Sequence, residues 1–112
     1  MTETANDLPI LNESWLKRQS MNDPDLEVEI LSLFINEAER LIRQIEETEN
    51  TTKRLERFHA IRGLASNIGA EKLAKIAATR QNGDRDDVKE IKTAVDNVIA
   101  YITTADGKVQ VL

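Results

Sequence analysis

Leu55-Glu56-Arg57-Phe58-His59-Ala60-Ile61-Arg62-Gly63-Leu64-Ala65-Ser66-Asn67-Ile68-Gly69 is the stretch that decides how this chain is read. Its apolar residues, Leu55, Phe58, Ile61, Ala65 and Ile68, recur at three and four residues, which is the period of an α-helix with one buried face. With Leu55 at zero on a wheel of 100° per residue, Ile68, Ile61, Ala65 and Phe58 fall at about 220°, 240°, 280° and 300°. Arg62, Ser66, His59 and Gly63 fall at about 340°, 20°, 40° and 80°. The only histidine of the chain therefore points about 140° away from the core, with a cation at +3 and a glycine at +4. The wheel argues against a buried histidine. An ordinary surface histidine is the plain alternative to a functional one.

Gly63 favours the functional reading. A glycine inside a helix costs roughly 0.5–1 kcal/mol relative to alanine. Helical side chains lean toward the N-terminus, so the residue at +4 normally covers its neighbour. Glycine there leaves the imidazole uncovered. Arg62 sets a permanent, multi-donor cation within reach of an anion attached to the ring. A ring nitrogen of neutral imidazole is a competent nucleophile near neutral pH. Exposed imidazole, cleared space and a nearby guanidinium together suit a histidine that carries phosphate.

The rest of the chain reads as helix as well. Asn12 is an N-cap for a short helix over about 12–20, with Leu11 and Leu16 in hydrophobic-staple positions. Trp15 reads as a core anchor on it, with a binding role as the alternative. Asp23-Pro24 opens a long helix to about Glu49, with Asp25, Glu27 and Glu29 at its positive end. Leu26, Ile30, Leu33, Phe34, Ala38, Leu41, Ile42 and Ile45 form its stripe. Asn50-Thr51-Thr52 breaks and recaps, and the third helix runs from about Thr52 to Ile68, closed by Gly69. A fourth covers about 70–81. Asn82-Gly83-Asp84 turns the chain into a fifth over about 85–103, which Asp106-Gly107 ends. No useful length alternates with period two. The expected fold is all-α: an up-and-down antiparallel four-helix bundle with a short additional N-terminal helix acting as a lid. The expected organisation is a flexible tail over 1–7, one bundle over 8–103 and a C-terminal tail over 104–112.

Composition narrows the function. At 112 residues there is room for one core. No apolar run approaches 18 residues and Met1 to Asp7 lacks the order of a signal peptide, so the expectation is a cytoplasmic protein without a membrane partner. Cysteine is absent, which removes disulfides and thiolate metal sites. The net charge is -5, yet residues 51–80 carry seven Lys and Arg against Glu56 and Glu71. That island is Lys53, Arg54, Arg57, Arg62, Lys72, Lys75 and Arg80. It is either a solvated helix face or a local field for an anionic partner. Nucleic acid is disfavoured, because the whole chain is acidic and the island lacks aromatic residues for stacking.

The segment His59-Ala60-Ile61-Arg62-Gly63, a run of small residues and Gly69 resembles the signature of histidine-containing phosphotransfer (HPt) domains, His-x-x-Lys-Gly with a later glycine. The likeness extends over roughly 8–103, through the entry segment Leu8-Pro9-Ile10-Leu11, the helix with Leu33-Phe34 and the helix Ala70 to Gln81. It implies a helical bundle in a two-component phosphorelay. His59 would accept a phosphoryl group from an aspartyl phosphate of a receiver domain and pass it to another. Response-regulator receiver domains are the implied partners, with a hybrid histidine kinase as a further one. The receiver would supply Mg²⁺ and most of the transition-state stabilisation, and this chain would bind no cofactor of its own. Arg62, in place of the usual lysine, would steady the phosphoryl oxygens, and Gly63 would give access. Gln81 matches a position able to hydrogen-bond the imidazole, or is a surface residue near a turn. Glu56 either orients the ring or is solvated. Leu64 stands where a small or hydroxyl residue is common, and Arg80 where an apolar one is.

Other chemistries fit less well. Glu56-x-x-His59 is half of a di-iron carboxylate motif, which needs a second histidine. There is no Gly-rich nucleotide loop, so the chain is not expected to be a kinase or an autonomous enzyme. The competing reading is an HPt-like helical adaptor that binds or sequesters a receiver or another protein without transferring phosphate. A bundle with its stripes satisfied is expected to be a monomer.

Overall fold

The structure, a computed structural model, describes residues 5–104 and 109. Among them lie five α-helices, one 3-10 turn and no strand: α1 (Glu13–Gln19), α2 (Pro24–Glu47), α3 (Thr51–Ile68), α4 (Glu71–Thr79) and α5 (Arg85–Thr103). The 3-10 turn, Ala5–Asp7, falls in the segment read as a tail and packs near α4. Of the expected C-terminal tail, Thr104 and Val109 are described, and Val109 packs against the core with its N donating to Ile102 O at 3.2 Å; the other tail residues, and the Asp106-Gly107 break, lie outside the described residues.

Each helix starts where local chemistry supplies a cap. The Asn12 side chain accepts from Trp15 N, Asp23 from Asp25 N and Leu26 N, Asn50 from Lys53 N and Asp84 from Asp87 N. These bonds satisfy amides that have no partner inside the helix. Pro24 opens α2, where its missing N–H costs nothing. Gly69 closes α3 at φ +82, a left-handed conformation that glycine adopts without a Cβ penalty.

Helix α2 packs on α3, α3 on α4, α4 on α5 and α5 on α2, so four helices enclose one core. Phe58, Ile61, Ala65 and Ile68 of α3 are buried in it, as their wheel positions require. On α2 the buried set is Leu31, Phe34, Ile35, Ala38, Leu41, Ile42 and Ile45. Leu33, assigned to the stripe by its spacing, is instead 60% exposed, and Leu31, which the spacing left out, is fully buried. Short α1 rests on α2 and α3 through buried Leu16, next to buried Leu11.

Trp15 departs from its expected core role. It is 37% exposed and lies on the surface of α1, with its Nε1 donating to Asn67 O at 3.2 Å and the Arg18 guanidinium 5.7 Å from its ring centroid. Leu16, the next residue, holds the inward direction, so the larger ring is left at the boundary. Helix α4 ends at Thr79, two residues before the expected end, with Arg80 already extended.

Candidate functional site

His59 sits in the middle of α3, and Arg62, Gly63 and Ser66 follow it along the same exposed face. The reason is the one-sided stripe: once Phe58, Ile61 and Ala65 are buried, the neighbouring positions face solvent. Among the described residues, neither His59 nor Arg62 makes a side-chain hydrogen bond or ion pair, so both are uncommitted. Glu56 is also exposed, and no hydrogen bond joins it to the ring.

The two glycines of the segment do opposite work. A Cβ built on Gly63 meets nothing within 4 Å, so this glycine faces open space and no packing requires it. A Cβ built on Gly69 would stand 2.9 Å from Trp15 Cδ1 and 3.1 Å from Asn12 O, so that glycine is structural. Asn12 N donates to Gly69 O at 2.8 Å, Asn12 Nδ2 to Glu71 Oε1 at 3.1 Å, and Lys72 N to Pro9 O at 3.1 Å. The entry segment Pro9 to Asn12 thereby ties down the α3–α4 connection, which fixes α4 relative to the histidine helix.

A shallow depression of about 380 Å³ lies between α3 and the end of α4, lined by Leu55, Phe58, His59, Arg62, Ala77, Ala78, Arg80 and Gln81. Gln81 is thus beside the histidine, in the connection after α4 and not within the helix as the periodicity suggested. No hydrogen bond links it to the imidazole. Leu64 is half-buried against the core and does not front this face. Among the described residues, no three His, Asp or Glu side chains gather as a metal-ligand set. No described helix is long and apolar enough to cross a membrane.

Arg80, named from the sequence in the basic island and as a departure from an apolar position but not as a site residue, stands beside His59 in the structure. It lines the same depression, while its guanidinium ion-pairs with Glu90, a residue of the neighbouring groove between α4 and α5, and donates to Thr79 Oγ1 at 2.8 Å. The signal was present as a cation where an apolar residue was expected. Arg54 has the opposite fate. Counted in the basic island, it is buried: Nε donates to Thr48 O at 3.0 Å, Nη1 to Gly83 O at 3.1 Å, and Nη2 lies 3.5 Å from Glu49. On the wheel it falls at about 260°, the centre of the core arc. Asp87, also buried, accepts from Asn82 N and Gly83 N, so Arg54 and Asp87 hold the turn that follows Arg80 and Gln81 from both sides.

The family model for the Hpt domain matches residues 29–104, from within α2 to the end of α5. The match contains His59, Arg62, Gly63, Arg80 and Gln81, and leaves α1 and the entry segment outside it. No curated protein and no solved structure matches the chain significantly.

Proposed function

The chain belongs to the Hpt-domain family, and from that premise we propose that it is a phosphoryl carrier of a two-component phosphorelay, with His59 as the phosphorylated residue. The observation that carries this reading is an exposed imidazole with no intramolecular partner among the described residues, followed one turn later by a glycine over open space. The helices form an up-and-down antiparallel bundle that acts as a monomer in the cytoplasm.

The donor is an aspartyl phosphate on a receiver domain. A lone pair on a ring nitrogen of neutral His59 forms the N–P bond while the acyl phosphate's P–O bond breaks. The electron pair of that bond leaves with the aspartate, which becomes a free carboxylate. The proton on the other ring nitrogen stays, so the product is a phosphoimidazolium, and charge balances. The reverse sequence passes the group to the next receiver. The receiver brings Mg²⁺, and this chain contributes a positioned nucleophile, an approach cleared by Gly63 and the Arg62 cation on the phosphoryl oxygens.

The test is incubation with phosphorylated receivers of the source organism, followed by assay for acid-labile, base-stable phosphate on the chain. The carrier predicts rapid labelling that His59→Gln abolishes with helicity and melting nearly unchanged, because the imidazole is exposed. Docking to a receiver without labelling, across every receiver tried, overturns the carrier in favour of the non-transferring adaptor.

A further inference from the structure

Arg80 has a place that its visible contacts do not account for. It lines the depression with His59 and Arg62, and also the neighbouring apolar groove between α4 and α5. Its ion-pair partner, Glu90, has a side chain half exposed, and the Arg80 side chain is one-third exposed. Exposed pairs of this kind contribute little to stability, typically about 0–1 kcal/mol. The pair does not hold the fold; that work at this end of the molecule falls to buried Arg54 and Asp87. A guanidinium carries five N–H donors in a fixed fork. Here Nε is turned to Glu90 and Nη1 to Thr79, and no protein partner is assigned to Nη2.

We propose that Arg80 is a second phosphoryl-binding cation of this site, parked on Glu90 while His59 is unmodified and drawn to the phosphoryl oxygens once His59 carries them. This rests on the carrier reading of His59. A phosphoryl group bears about -1.5 to -2 charges near neutral pH, against one on Glu90, and offers three acceptor oxygens. Arg62 approaches that group from the histidine helix itself, and Arg80 approaches from the connection after α4. Two cations on different elements enclose the phosphoryl group, where Arg62 alone would contact it from one direction. The exposed Glu90 partner makes release of Arg80 inexpensive. Arg80 then favours the phosphorylated state of the carrier, and so sets how long the phosphoryl group stays before transfer.

The experiment phosphorylates the full chain on histidine with potassium phosphoramidate, without any receiver. It follows phosphohistidine lifetime and the ¹H–¹⁵N signal of the Arg80 Nε–H group. The expected result is a shift of that signal on phosphorylation. Arg80→Leu shortens the lifetime roughly tenfold or more, the effect of losing one charge-assisted contact. Melting stays unchanged, and Arg80→Lys restores part of the lifetime. An Arg80 signal that does not move, together with a wild-type lifetime in Arg80→Leu, overturns the role of Arg80 and leaves His59 as carrier. A wild-type chain that takes no phosphate from phosphoramidate or from receivers overturns both readings.

Discussion

Gly69 lies so close under Trp15 that a Cβ on it would stand 2.9 Å from the indole Cδ1, whereas six residues earlier Gly63 faces empty space. The two glycines of one signature therefore respond to alanine with opposite sign. Gly63→Ala is expected to stabilise the bundle by about 0.5–1 kcal/mol, the helix-interior penalty of glycine. That corresponds to roughly 2–6 °C in melting temperature for a domain of this size. Gly69→Ala is expected to lose at least about 1–2 kcal/mol through its left-handed φ, plus the cost of moving Trp15. Thermal melts of the two variants check this. Gly63→Leu is expected to stay folded while slowing phosphoryl transfer, and an unaltered rate would show that clearance over the ring is not its purpose.

Arg54 offers the clearest stability test away from His59. Its guanidinium is buried and bonded to Thr48 O and Gly83 O, so Arg54→Ala strands two carbonyls and removes packed methylenes. The expected loss is about 2–4 kcal/mol, measured by urea denaturation. Because the Gly83 turn follows Arg80 and Gln81, the same variant should slow transfer even at temperatures where it is folded.

Arg62 should behave in the reverse way. It is exposed and makes no side-chain bond among the described residues, so Arg62→Ala is expected to leave melting within about 0.5 kcal/mol. Phosphoryl transfer should slow by roughly 10- to 100-fold, the worth of one hydrogen bond to a charged group. Rapid-quench transfer rates and receiver affinity, measured separately, distinguish this from a pure docking defect.

Trp15 supplies a built-in reporter. A standard interface buries about 800 Å² per partner, a patch of roughly 16 Å radius. Ser66 lies about 10 Å along α3 from His59, and with Trp15 it lines a small surface hollow that also includes Gly69. A receiver centred on His59 therefore covers the half-exposed indole, and its fluorescence should change on titration with receiver. Unchanged emission at saturating receiver would place the docked face elsewhere on the bundle.

Much of the helix content was legible in residue order, because caps and stripes are local. Asp23-Pro24, Asn50 and Asp84 mark helix starts by side chains that reach only two or three residues. The errors lie in which apolar residues the core admits. Leu33 is exposed while Leu31, about 200° round the helix from it, is buried, and Trp15 stays at the boundary beside buried Leu16. Periodicity counts apolar residues without knowing how wide the facing helix is, so it cannot say which of two candidates is left outside.

By itself the sequence determined the helical class, the exposure of His59 on α3, and the company of Arg62 and Gly63 one turn away, since all of these follow from a period of 3.6 residues. Only the tertiary structure decided which cations belong to that site. Arg54 and Arg80 are both members of one basic island in the sequence, 26 residues apart. Packing buries the first to hold a turn and brings the second to the histidine's depression. The physical reason is that a charge's role depends on the elements that meet around it, and α3, α4 and α5 meet only when the core they share has formed.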